Sequence, residues 1–118
     1  MVNQLNLDNF ASWRDDANAQ TALPLVIDVR EPWELQTAAV KEDGFKYLHV
    51  PMQGIPASVD TLKQTYGVDY PIAVLCHHGV RSMQVANFLA HHGFTQVVNL
   101  QGGIDAWSHQ IDSTVAQY

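Results

Sequence analysis

The chain of 118 residues contains a single cysteine, Cys76. One thiol cannot close an internal disulfide, so nothing signals an oxidising compartment, and the expected location is the cytoplasm. Cations are scarce as well: six Lys and Arg stand against twelve Asp and Glu, for a net charge of −6. With no basic run, neither nucleic acid nor an anionic membrane surface is a favoured partner. A small anionic substrate is not excluded, because a local site can oppose the field of the whole chain. No apolar run approaches the length of a membrane span. The N-terminal MVNQLNLDNFASW lacks the basic and long apolar regions of a secretory signal. Repeats, low-complexity tracts and linker-like blocks are also absent, which makes residues 1–118 read as one domain.

What is present is a rhythm of short apolar runs and amphipathic segments. Hydrophobic residues make up 47% of the chain, enough to bury a core without staples. Leu25 to Ile27, ending in Asp28, reads as a strand, as do Tyr47–Val50, Ile72–Leu75 and Gln96–Leu100, with a weaker fifth near Val2–Leu5. Their continuous apolar character suits strands covered on both faces, as in a parallel sheet. Asp8 is the expected cap of a helix carrying Phe10 and Trp13. Pro32 opens a short helix through Glu34 and Leu35. Ser58 is the expected cap of Val59–Tyr66, stopped by Gly67. The clearest helix is Ser82–His92, where Ser82, Val85, Ala86 and Leu89 share one face and Gly93 follows as a stop. A last helix spans about Ile104 to His109. The order β-α-β-β-α-β-α-β-α predicts an α/β fold with a mainly parallel central sheet of about five strands.

In open α/β sheets, ligands gather at the carboxyl ends of the strands. Cys76 is the first residue past Leu75, so it falls at that edge. The loop His77-His78-Gly79-Val80-Arg81 then feeds the N-terminus of the strongest helix. Amides in such a loop can form an anion nest, and Gly79 permits a backbone turn closed to other residues. Arg81 adds a cationic fork suited to an oxyanion. A thiolate beside a helix N-terminus and a cation is stabilised, so one element supplies both a nucleophile and an anion pocket. A lone cysteine after an apolar strand is otherwise a small buried hydrophobe; the spacing of its neighbours favours the reactive reading.

Four pieces of the chain in order resemble the rhodanese-like sulfurtransferases. They are Val26-Ile27-Asp28-Val29-Arg30-Glu31-Pro32-Trp33-Glu34, His49-Val50-Pro51-Met52, the Cys76–Ser82 loop (C-x-x-G-x-R-S), and Gly93-Phe94 through Asn99-Leu100-Gln101-Gly102-Gly103-Ile104-Asp105-Ala106-Trp107. Residues 39–47, AVKEDGFKY, depart from the G-H-I-P-G-A that family members often carry there. The resemblance implies a rhodanese-like α/β fold and a reaction in which Cys76 takes a sulfane sulfur from a donor such as thiosulfate. The resulting persulfide passes the sulfur to cyanide, a thiol or a protein. It further implies that the backbone N–H groups of His77, His78, Gly79, Val80 and Arg81 hold the anionic persulfide and that Arg81 binds the donor's sulfonate oxygens, with Asp28, Arg30 and Ser82 in support.

No metal is expected, since the histidine pairs 77/78 and 91/92 lack partners at ligand spacing, and the reaction that the resemblance implies needs no organic cofactor. The side chains of His77 and His78 are expected to face solvent, and Trp33 and Trp107 to pack in the core. Two other classes stay open. One is a non-catalytic binding or regulatory module on the same fold. The other is a cysteine phosphatase or arsenate reductase, whose cysteine loops carry one residue more before the arginine.

Overall fold

The computed structural model describes residues 2–20 and 23–118. Five strands form one sheet: β1 (Asn3–Leu5), β2 (Leu25–Asp28), β3 (Lys46–His49), β4 (Ile72–Leu75) and β5 (Val97–Leu100). Their order is β1-β5-β4-β2-β3, and every neighbouring pair runs parallel. The helices are α1 (Phe10–Gln20), α2 (Pro32–Thr37), α3 (Ile55–Tyr66), α4 (Val80–His91) and α5 (Gly103–Gln110).

The continuous apolar runs follow from this arrangement, because the central strands β2 and β4 are buried along their whole length. Successive side chains point to opposite faces of a strand. Leu25, Ile27, Ile72 and Val74 therefore meet Ile55, Val59, Leu62, Val85 and Leu89 of α3 and α4 on one face. Val26, Ala73 and Leu75 meet Phe10, Ile104 and Trp107 of α1 and α5 on the other. The carboxyl ends of β2, β4 and β5 lie side by side, and Cys76 leaves the sheet at the middle one.

Several expected boundaries shift. Pro32–Thr37 separates β2 from β3, so the order is β-α-β-α-β-α-β-α-β-α. Asp8 is not a helix cap: Leu7–Asn9 forms a 3-10 turn whose cap is Asn6, its side chain accepting from the Asp8 N–H. Ser58 does not cap α3, which starts at Ile55 directly from a 3-10 turn at Met52–Gly54. Pro56 suits the first helical turn, and the Ser58 hydroxyl donates back to the Gly54 carbonyl at 2.9 Å. Trp107 is core, but Trp33 is 61% exposed and is not. The face of α2 that turns inward carries Glu34 instead.

Candidate active site

The β4–α4 loop is shaped from both sides. Gly79 has φ +101°, a left-handed conformation that favours glycine. In that conformation its N–H donates to Cys76 Sγ at 3.0 Å, and the Ser82 hydroxyl donates to the same sulfur at 3.2 Å. The loop carbonyls are held elsewhere. Cys76 O accepts from the Ile104 N–H at 2.8 Å, and His77 O from the Asp105 N–H at 3.1 Å. Gly79 O accepts from Asn99 Nδ2 at 3.1 Å, whose other hydrogen bond goes to Gln4 Oε1 at 2.8 Å. The first turn of α5 thus draws carbonyl oxygens away from the sulfur and leaves hydrogen-bond donors on it. Gly103 makes this docking possible: with φ +61°, a Cβ there would stand 2.4 Å from Cys76 O and 2.5 Å from His77 O.

Cys76 is only 1% exposed and shares the core cluster of α3 and α4. By burial alone it is a small hydrophobe. Two donors on its sulfur, at the start of a helix whose first N–H groups have no intrahelical partner, set it apart from one.

A chain of alternating charges lines the same sheet edge. Asp28 and Arg30 form an ion pair with both side chains fully buried, Arg30 Nη2 to Asp28 Oδ2 at 2.8 Å and Nε to Oδ1 at 3.0 Å. Tyr47 donates to Asp28 Oδ2 at 2.7 Å. Burial opposes the charge on Arg30, but its bonds to Asp28 and Tyr118 outweigh that and hold its pKa above the ordinary value. Arg30 Nη1 donates to the Tyr118 hydroxyl at 3.0 Å, and that hydroxyl donates to Glu34 Oε1 at 2.8 Å. Glu34 in turn takes both ends of Arg81, Nη1 to Oε2 at 2.7 Å and Nη2 to Oε1 at 2.8 Å. The Glu31 N–H closes the carboxylate's shell at 2.8 Å, as half of a capping box that starts α2.

Arg81 therefore does not project an open fork: its guanidinium is engaged by a carboxylate that no local pattern announces. Val80 and His78 are exposed, and Gly79 and Ser82 are buried. His77 does not face solvent as expected. Its ring is stacked between those of His78 and Tyr118, at 3.8 and 3.7 Å between centroids. Burial, then the neighbouring His78, lowers its pKa, which disfavours the charged ring. Four residues central to this geometry, Glu34, Asn99, Gly103 and Tyr118, were not among the sequence-based candidates. Three of them sit inside the quoted motifs, whereas Tyr118 carries no signal that separates it from any other aromatic residue. Among the described residues, no group of three or more His, Cys, Asp or Glu side chains is arranged to hold a metal ion.

The Glu34–Arg81 pair has a pH signature. Hydrogen bonds from Arg81 lower the Glu34 pKa from 4.5 to about 2, against the opposing effect of burial. A carboxylate held low in the folded state stabilises the fold above its unfolded pKa, and that stabilisation disappears as pH falls from about 4.5 toward 2. The full contribution is on the order of 3 kcal/mol. Urea unfolding at pH 7 and pH 3 is expected to show a smaller loss on acidification for Glu34→Gln than for the parent chain. Equal losses would mean that the pair does not hold in solution.

A family model for the rhodanese-like domain matches residues 7–110. A curated relative is the rhodanese-like/PpiC domain-containing protein 12, chloroplastic, of Arabidopsis thaliana, 39% identical over 98 residues. The match covers 79% of this chain and 30% of the plant protein, so the chain spans less than a third of that relative. The thiosulfate sulfurtransferase GlpE of Actinobacillus pleuropneumoniae is 34% identical over 93 residues, covering 69% of this chain and 83% of the relative. Among solved structures, the rhodanese-like domain protein of Staphylococcus aureus superposes with a TM-score of 0.71 at 20% identity, covering 99% of both chains. No helix among the described residues is long and apolar enough to cross a membrane.

Proposed function

Because the chain belongs to the rhodanese-like domain family, we propose that it is a sulfurtransferase that carries a sulfane sulfur as a persulfide on Cys76. The donor is a sulfane-sulfur compound, thiosulfate or an organic persulfide, and the acceptor is cyanide, a thiol or a protein. The observation that carries this reading is the pair of donors on Cys76 Sγ, the Gly79 N–H at 3.0 Å and the Ser82 hydroxyl at 3.2 Å.

In the first half-reaction the Cys76 thiolate attacks the outer sulfur of the donor. The Sγ–S bond forms, the donor's S–S bond breaks, and sulfite leaves with the bonding pair when the donor is thiosulfate. In the second, the acceptor takes that outer sulfur, and Cys76 leaves as the thiolate. Splitting one transfer into two lowers each barrier. The loop donors stabilise the anionic sulfur in both halves, since preorganised dipoles cost no rearrangement when charge develops. Asp28 and Arg30 act at a distance, holding the end of β2 and, through Tyr118, the position of Glu34. No step calls for a metal or an organic cofactor.

Steady-state transfer from thiosulfate or glutathione persulfide to cyanide tests this. Parallel double-reciprocal lines are expected, with Cys76→Ser at the uncatalysed rate. Turnover by Cys76→Ser would rule the nucleophile out. The near-complete burial of Cys76 favours one alternative, a binding module whose thiol is structural. In that case iodoacetamide would leave native Cys76 unmodified, whereas the sulfurtransferase reading expects it alkylated.

A further inference from the structure

We propose that Glu34 sets the donor class of this site: by occupying Arg81 it favours organic persulfides over donors that carry a sulfonate. The proposal rests on Cys76 being the sulfur carrier.

A sulfonate is recognised by a free cationic fork, because its oxygens match a guanidinium in bidentate fashion. Here both Nη ends of Arg81 already meet the two oxygens of Glu34. The Glu34 side chain is 3% exposed, and its carboxylate is also fixed by the Tyr118 hydroxyl and the Glu31 N–H. A sulfonate that takes Arg81 must leave this carboxylate buried and unpaired, which is strongly unfavourable. The rest of the edge offers no substitute. Asp28 and Glu34 balance Arg30 and Arg81, and the Arg30 guanidinium is spent on Asp28 and Tyr118. The remaining cations are Arg14, Lys41, Lys46 and Lys63. Of these, Arg14 pairs with Asp15 and Asp43 on α1 and the loop before β3, and Lys41 lies near Asp112, beyond the end of α5. Lys46 begins β3, at the opposite edge of the sheet, and Lys63 lies in the last turn of α3. A dianion such as thiosulfate thus meets a charge-balanced rim on a chain of net charge −6.

A persulfide needs no such fork. The Cys76 thiolate attacks the terminal sulfur of R–S–SH. The Sγ–S bond forms, the donor's S–S bond breaks, and R–S⁻ leaves with the electron pair while the proton stays on the transferred sulfur. The organic group also has a surface to rest on. Trp33 meets Tyr118 edge to face at 6.3 Å, and Tyr118, His77 and His78 continue as a stack beside the loop. This row explains an exposed tryptophan next to the site, and the sulfite half of thiosulfate has no group that would use it. Charge exclusion of one donor and surface for another are the two halves of a specificity device.

The test compares kcat/KM for thiosulfate and for glutathione persulfide in the parent chain, Glu34→Gln and Tyr118→Phe. Glu34→Gln is expected to raise the thiosulfate-to-persulfide ratio about tenfold, mainly through a lower KM for thiosulfate. Tyr118→Phe, which removes one tether of the carboxylate and keeps the ring, is expected to move the ratio the same way by about threefold. It decides the matter if Glu34→Gln does not fold. A parent chain that prefers thiosulfate, or a ratio that stays level or falls in the variants, overturns the proposal. Loading of Cys76 by neither donor in the parent chain overturns the sulfurtransferase reading and this proposal with it, a result separable from lost selectivity.

Discussion

Asp28→Asn is expected to lower the melting temperature by roughly 12–20 °C, the equivalent of about 3–5 kcal/mol. The side chains of Asp28 and Arg30 are both fully buried. Their mutual attraction offsets a large desolvation cost, so the intact pair is worth little over an apolar replacement. Removing only the carboxylate's charge is a different matter. The amide still fills the space and accepts one bond, but the guanidinium stays ionised, because arginine does not give up its proton in proteins. An uncompensated charge is then left in the core. The same physics predicts that Asp28→Leu combined with Arg30→Met costs less than Asp28→Asn alone. Thermal unfolding of the two variants checks this, and a single variant within 2 °C of the parent would show that water reaches the pair. The loss should also be felt at the site, since Arg30 is one of the anchors of Tyr118.

Gly103→Ala is expected to cut sulfur-transfer kcat/KM about 100-fold while leaving the sheet intact. The added methyl would lie 2.4–2.6 Å from Cys76 O, His77 O and His77 C, all backbone atoms with no flexible end to swing aside. Either α5 or the Cys76 loop must move, and both Ile104 N–H to Cys76 O and Asp105 N–H to His77 O depend on their present fit. A displacement of about 1 Å at a reacting group is enough for a loss of this size. Gly93→Ala is the matched control. It has φ +101° but nothing within 4 Å of the added methyl, so it carries the backbone strain without the collision. Circular dichroism and activity assays on both variants separate the effects. Full activity in Gly103→Ala would mean that α5 does not shape the loop.

The parts of this molecule that were legible in the sequence are those set by short-range pattern. Short, largely apolar runs identify β2, β4 and β5 because both faces of the sheet are covered, and Cys76 is placed at the carboxyl edge because strand and helix signals meet there. Local reading failed where a local cue had a tertiary competitor. Ser58 looks like a cap, but the chain was already helical from Ile55, so its hydroxyl turns back to Gly54. Trp33 looks like core, yet an apolar residue carries no obligation to be buried, and α2 instead turns Glu34 inward. Arg81 looks like a free fork because its partner lies 47 residues away, and Tyr118 reaches the same carboxylate from 84 residues away. Gly103 stands in the sequence only as part of a motif; that its missing side chain makes room for the carbonyls of residues 76 and 77 follows only from how β4 and β5 pair. Long-range charge pairing and close backbone approach leave no periodic trace. In this chain they fix the partners of Arg81 and of the carbonyls of the Cys76 loop.

Intact mass spectrometry after incubation with glutathione persulfide, and separately with thiosulfate, tests the chemistry at Cys76 most directly. The parent chain should gain one sulfur, about 32 Da, which dithiothreitol removes and Cys76→Ser never acquires. A parent chain that stays at its original mass with both donors, while its thiol remains titratable after unfolding, would contradict the account and leave Cys76 as a packing residue.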